Sequence, residues 1–250
     1  MELYSTEHIV FIVLTFVCLA AAILVFRLAL KTDRARDIFI RCLGGLLAVS
    51  LIINRISLVI WNEKGFGVRN LIPNTYCGMT GLLLGLFAAF GKRDMKAFHF
   101  LVYVEIFGAI AAIFFPNFLD QDPSFFYMPT ITGMNHHACG LILSVILILG
   151  RWFEPSFKRW YVFPIGISIY TLFGLFLIDP LGMTGSMCVD EPFVAGTPLT
   201  WWFVLSVGTV AIVALTFAYD TVKARIIKNK KSDAADEQSA DDVSENTEST

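Results

Sequence analysis

A chain of 250 residues that is 56% hydrophobic and only 16% charged lacks the balance of a soluble domain, which is about 45–50% apolar and about 25% charged. Its mean hydropathy is +0.67, and its 19 basic and 21 acidic residues nearly cancel. This composition argues against a nucleic-acid-binding protein, a secreted disulfide scaffold and a soluble enzyme. It predicts an all-α, polytopic membrane protein.

A spanning helix needs about 20 mostly apolar residues. Apolar runs between charged or turn-rich breaks place seven spans, at roughly 9–30, 38–61, 71–90, 97–115, 135–153, 161–178 and 200–220. The first is preceded by Glu2 and Glu7 rather than by Lys or Arg, so it reads as a span and not as a cleavable signal. The segments after spans one, three, five and seven carry 16 of the 19 basic residues. Basic loops stay cytoplasmic, which predicts an outer N-terminus, a cytoplasmic C-terminus and a multi-pass protein of the cell membrane. The five tryptophans (Trp61, Trp152, Trp160, Trp201 and Trp202) fall at span ends, where an amphipathic indole is stable. Residues 1–226 form the membrane domain in this reading. The remainder, 227–250, reads as a disordered cytoplasmic tail, because Ser232 to Thr250 holds seven acids and no basic residue.

The chemistry-bearing residues lie inside the spans. Span three opens through Pro73, Asn74 and Cys77, followed by the small-residue pair Gly81 and Gly85. Asn74, Cys77 and Gly81 share one helical stripe, and a helix N-terminus there favours thiolate over thiol. Span five opens through Asn135, His136, His137 and Cys139. The positive end of a helix disfavours imidazolium, leaving neutral rings fit for a general base or a ligand. Span two carries Asn54 and Arg55 in its outer half, and span four carries Glu105 nearer the midplane. Charges within a bilayer are rare, commonly paired and often functional. Glu105 is therefore read as a structural or ion-pair partner of Arg55, whose guanidinium also has the fork geometry for a lipid phosphate.

Cys77, His136, His137, Asn54 and Arg55 thus share one predicted depth although they come from three spans. A thiol, an imidazole and a cation at headgroup depth are what acyl chemistry on a membrane lipid needs. The thiolate attacks an ester, the ring moves protons and oriented donors steady the oxyanion. In this reading Cys77, His136 and His137 are catalytic, while Asn54, Arg55, Asn74 and Asn135 bind substrate. A milder version gives the nucleophile role to Thr75 or Thr80. Two other classes stay open. Arg55 and Glu105 could line the path of a small-solute transporter or channel, and His136, His137 and Cys139 could bind a metal ion. No cofactor motif is present and no metal ligand set is assigned. A retinal Schiff base is excluded because span seven has no lysine.

At these same residues the chain resembles the YwaF-like family of integral membrane proteins. The resemblance rests on Leu71 to Cys77 with its proline, on Asn135-His136-His137, and on Gly196 to Trp202 with Pro198. It covers spans two to seven in order, with 59 residues between Cys77 and His136. A eukaryotic branch similar to this family is described as phospholipid acyltransferases with a catalytic cysteine and histidine. The resemblance would carry those roles onto Cys77 and His136 or His137. The chain departs from the pattern where Ile72 separates Leu71 from Pro73, and in the 179–199 loop.

Overall fold

In a bilayer every backbone amide must find its partner within its own segment, and apolar runs satisfy this by becoming helices. The computed structural model describes residues 3–61, 67–116, 124–193 and 196–248. It is helical throughout, with no strand among the described residues.

Helix α1 (Thr6–Leu24) starts at Ser5, whose hydroxyl accepts from the His8 amide, and runs on through one π-helical turn, Val25–Ala29. Its buried stripe is narrow (His8, Phe11 and Thr15), while Val10, Val13, Leu14 and Val17 are exposed, as a lipid-facing surface requires. The other helices are α2 (Asp33–Trp61), α3 (Tyr76–Phe90), α4 (Phe98–Phe114), α5 (Met128–Leu149) and α6 (Val162–Ile178). The last, α7, consists of Trp201–Phe203, a π turn at Val204–Gly208 and then Thr209–Glu248.

Among the described residues, five helical stretches are long and apolar enough to cross a membrane: Thr6–Ala29, Asp33–Trp61, Met128–Leu149, Phe157–Ile178 and Trp201–Asn229. Helices α3 and α4 are apolar but have only 15 and 17 residues. At 1.5 Å per residue they are about 23 and 26 Å long, short of a hydrocarbon layer of about 30 Å.

Two helix starts differ from the sequence reading. Helix α3 begins at Tyr76 rather than 71, because Thr75 caps it and Val68–Leu71 forms a separate 3-10 turn. Helix α5 begins at Met128 rather than 135, with Pro129 in its first turn, where proline's missing amide is not needed. The tail expected to be disordered over 227–250 continues α7 as helix to Glu248. Its Ala, Lys, Glu and Gln residues are good helix formers, and extending an existing helix avoids the nucleation cost. Lys64 and residues 249–250 lie outside the described residues.

The core is built on α2, α3, α4 and α5. Helix α2 packs against α3 and α5, α4 packs against α5 and α3, and α1 leans on α5. Helix α5 is the most enclosed of the long helices. Helix α7 is peripheral. The α2–α3 crossing is closed by facing glycines: a Cβ on Gly44 would lie 2.7 Å from the Gly85 carbonyl oxygen, and one on Gly85 would lie 2.8 Å from that of Gly44.

Charged side chains tie together the end of the bundle where α2 starts and α3 and α5 finish. Asp37 accepts from Arg93 (Nη2, 2.7 Å) and from the indole of Trp152 (2.8 Å). Arg41 donates to the carbonyls of Ala89 and Gly91 at 2.7 and 3.1 Å, satisfying acceptors left open where α3 ends. Trp152 is accordingly 1% exposed, unlike the interfacial indole that the sequence suggests. Arg159 forks onto both carboxylate oxygens of Asp94, with Nη2–Oδ2 at 2.6 Å, joining the α3–α4 loop to the α5–α6 loop.

The Arg159 hydrogen bonds hold the Asp94 carboxyl below the usual carboxylate range. A depressed carboxylate contributes stability that is present above its unfolded pKa and is lost as pH falls through the folded one. Thermal stability in detergent is therefore expected to fall on acidification through that range, and Asp94→Asn to flatten the dependence. Equal acid slopes for the two proteins would show that the fork contributes nothing.

Candidate functional site

Cys77 is the second residue of α3, just inside the Thr75 cap, whose hydroxyl accepts from the Gly78 amide at 3.1 Å. The thiol is partly buried. It lies against Gly108 of α4, where a Cβ would come within 2.8 Å of Sγ. One turn further along the same face of α3 is Gly81. A Cβ there would stand 3.8 Å from Glu105 Oε2, 3.9 Å from Leu47 and 4.0 Å from His136 Cδ2. Glu105 precedes Gly108 by three residues, so the two share one face of α4.

The two histidines occupy the interior of α5, about 12 Å from its start at 1.5 Å per residue. The sequence reading that they open the helix is corrected by the start at Met128. The helix dipole acts within the first turn and does not reach them. Both rings are 3% exposed, with centroids 4.1 Å apart. Neither nitrogen of His136, nor Nδ1 of His137, has a hydrogen-bond partner among the described residues. No hydrogen bond joins His136 to Cys77 among the described residues.

The other predicted residues separate into three groups. Arg55 belongs to the same region: its Nη2 would lie 2.6 Å from a Cβ on Gly78, at the first turn of α3. It is within electrostatic reach of Cys77, His136 and His137, and its Nε has no partner among the described residues. The Asn54 side chain and the Asn74 backbone tie elements together. The Asn54 amide donates to the Pro129 carbonyl at 3.3 Å and to Thr132 Oγ1 at 3.1 Å. Ser57 donates to the Asn54 carbonyl at 2.7 Å and meets Thr132 Oγ1 at 3.0 Å, so this group locks α2 to the first turns of α5. The Asn74 carbonyl accepts from the Met187 amide at 2.8 Å, tying the loop after α6 to the start of α3. Asn135 is exposed. One residue before His136, it projects about 100° away and leaves the histidine cluster.

Glu105 is 1% exposed. The expected pair with Arg55 is not formed: neither carboxylate oxygen has a partner among the described residues. Glu105 instead lies against α5, where a Cβ on Gly140 would come within 1.8 Å of Oε1. The sequence reading missed Gly108 and Gly140 altogether. The available signal was a polar residue with a glycine one turn on, repeated on three spans as Cys77/Gly81, Glu105/Gly108 and His136/Gly140.

Aromatic rings and a loop close off the neighbouring space. Tyr76 packs against Tyr170 and Phe193, with centroids 5.5 and 5.3 Å apart, and Tyr170 shares a 3.1 Å hydrogen bond with Thr80. Met187, fully buried, enters from the α6–α7 loop with φ of 50°, an uncommon backbone state for a residue other than glycine.

Burying polar atoms without partners is costly, and here they converge from α2, α4 and α5. A thiol at a helix start, two neutral-capable rings and a guanidinium can together attack, protonate and neutralise a polar ligand entering that space. No group of three or more His, Cys, Asp or Glu residues arranged to hold a metal ion occurs among the described residues. Among curated proteins and solved structures, nothing matches the chain. The family model of the TMEM164 family matches residues 3–219, from before α1 into α7. The chain therefore belongs to the TMEM164 family of membrane proteins.

Proposed function

We propose that this protein transfers or hydrolyses an acyl group on a membrane lipid, with Cys77 as nucleophile. The thiol attacks the ester carbonyl of the donor, forming the C–S bond of an acyl-Cys77 thioester and breaking the C–O bond of the lipid. An α5 imidazole carries the thiol proton to the departing alkoxide. Arg55 faces the lipid phosphate, and the free amides of the first turn of α3 face the oxyanion. The supporting observation is the gathering of unpartnered buried groups along the first turns of α3: Arg55 Nε near Gly78, His136 Nδ1 and Nε2 near Gly81, and His137 Nδ1 on the adjoining ring, each without a partner among the described residues. Such groups are worth burying when something polar arrives to use them. The resemblance to acyltransferase-like members of the YwaF-like family points to the same cysteine and histidines.

We place the chain seven times across the cell membrane, with the N-terminus outside and the basic loops inside. The Cys77 end of α3 then faces the outer leaflet.

The test is purified protein in phospholipid vesicles. Wild type is expected to become labelled at Cys77 by a lipid-like thiol electrophile and to turn over acyl chains, and Cys77→Ala to lose both. With chemistry routed through the thiol, turnover should fall by about 100-fold or more. Unchanged turnover in Cys77→Ala removes the proposal. Vesicle solute uptake that depends on Glu105 and survives Cys77→Ala would instead favour a solute path.

A further inference from the structure

Glu105 is a buried carboxylate beside the thiol, and the reaction above does not use it. Three observations locate its chemistry. The side chain is 1% exposed, with neither oxygen partnered among the described residues. Glycines on two other helices make its room: Gly140 directly against Oε1, and Gly81 open toward Oε2. The atom of His136 nearest a Cβ on Gly81 is Cδ2, at 4.0 Å, which is bonded to Nε2, and that nitrogen is also unpartnered among the described residues. A carboxylate and an imidazole thus flank one gap at Gly81, where the missing side chain leaves the space between them. Cys77 is one turn along α3 from Gly81, about 6 Å by helix rise.

Resting on the acyl-Cys77 reading, we infer that the Glu105–His136 gap beside Gly81 is the acceptor site, binding the hydroxyl group that discharges the thioester. A hydroxyl is both donor and acceptor. It can donate to His136 while accepting from the Glu105 carboxyl in its protonated form, whereas a bare acyl chain can satisfy neither. In the discharge step the hydroxyl oxygen bonds to the thioester carbonyl carbon and the C–S bond breaks. The hydroxyl proton passes through His136 to the leaving sulfur, regenerating the Cys77 thiol, with no change in oxidation state. The hydroxyl belongs to a lysophospholipid in a transferase and to water in a hydrolase. His136 is the working ring in this arrangement, with His137 tilted against it, ring centroids 4.1 Å apart.

The experiment follows each half-reaction in the full-length protein, using vesicles of radiolabelled oleoyl phosphatidylethanolamine with or without added lysophosphatidylglycerol. Glu105→Gln is expected to form acyl-Cys77 as wild type does but to discharge it about 100-fold more slowly, so that labelled protein accumulates. Gly81→Ala places a methyl group in the gap at ordinary contact distance and is expected to accumulate it as well. Labelled diacyl phosphatidylglycerol identifies the lysolipid hydroxyl as the acceptor, and labelled free oleate identifies water. Wild-type discharge rates in both variants overturn the inference and leave the Cys77 reading intact. Failure of wild type to acylate at Cys77 overturns both. Should Glu105→Gln not fold, Gly81→Ala decides alone, since no contact there is shorter than 3.8 Å.

Discussion

Gly85→Val is expected to drive α2 and α3 apart and to leave little folded protein. A Cβ at this position would lie 2.8 Å from the Ala48 amide nitrogen, 2.8 Å from the Gly44 carbonyl oxygen and 3.1 Å from the Ala48 Cβ. Backbone atoms of a packed helix cannot rotate aside as a side-chain terminus can. The opposite face is no more accommodating: a Cβ on Gly44 meets Ala89 N at 2.7 Å and Ala88 Cβ at 2.8 Å. Transmembrane helices associate through this kind of close small-residue contact, without a hydrophobic drive between them. The loss therefore falls on the main source of α2–α3 affinity. Overpacking usually costs about 1–3 kcal/mol; with backbone on both sides, on the order of 4 kcal/mol is expected, at the exceptional end for a single change. Thermal unfolding in detergent measures it, with Gly45→Val as the control. A Cβ on Gly45 would have nothing within 4 Å, so that variant should melt like wild type. Equal melting of Gly85→Val and Gly45→Val would contradict the crossing.

This crossing illustrates which part of the fold could be read from the chain. Gly81 and Gly85 are four apart and suggest one helix-contact stripe, but their surroundings separate them. Gly85 is pressed against α2, whereas Gly81 opens on Glu105 and His136. Periodicity says that two residues share a face; it does not say whether that face meets a backbone or a void. Helix existence was legible because apolar length reports it directly. The starts of α3 and α5 were less so. At α3 the capping Thr75 begins the helix after Pro73. At α5 the stretch from Thr130 to Met134 falls outside the span read from sequence, yet it is helical and largely enclosed, because neighbouring helices, not lipid, surround it.

The same limit governs the site. Cys77, His136, His137 and Arg55 carried enough chemical signal to be selected from sequence, and they come from helices that pack together. Asn54 and Asn135 carried a similar signal and went elsewhere, one to bind the Pro129 carbonyl and Thr132, the other to the surface. A polar residue in a span must satisfy its hydrogen bonds or serve a ligand, and only the identity of its neighbours tells which. For Glu105 the natural inference was a partner of opposite charge. What it has is glycine, and that difference turns a structural guess into a chemical one.

Gly140→Ala is expected to be costly only while Glu105 is present. The added Cβ would fall 1.8 Å from Oε1, 2.6 Å from Cδ and 3.0 Å from Cγ of that one side chain, and none of the three nearest atoms is backbone. The carboxylate must therefore move, and the open direction is toward Gly81 and His136. That displacement fills the gap assigned to the acceptor, so acyl discharge should fail even where the protein still folds. In stability the overlap is expected to cost about 1–3 kcal/mol. It should vanish in a Glu105→Ala background, where the atoms it strikes are gone. The double-mutant cycle then returns a coupling of that same order, well above the few tenths of a kcal/mol expected for independent sites. Unfolding of the four proteins in mixed detergent supplies the cycle. Should Gly140→Ala cost the same in both backgrounds, α5 does not hold the carboxylate, and the glycine is required for some contact other than Glu105.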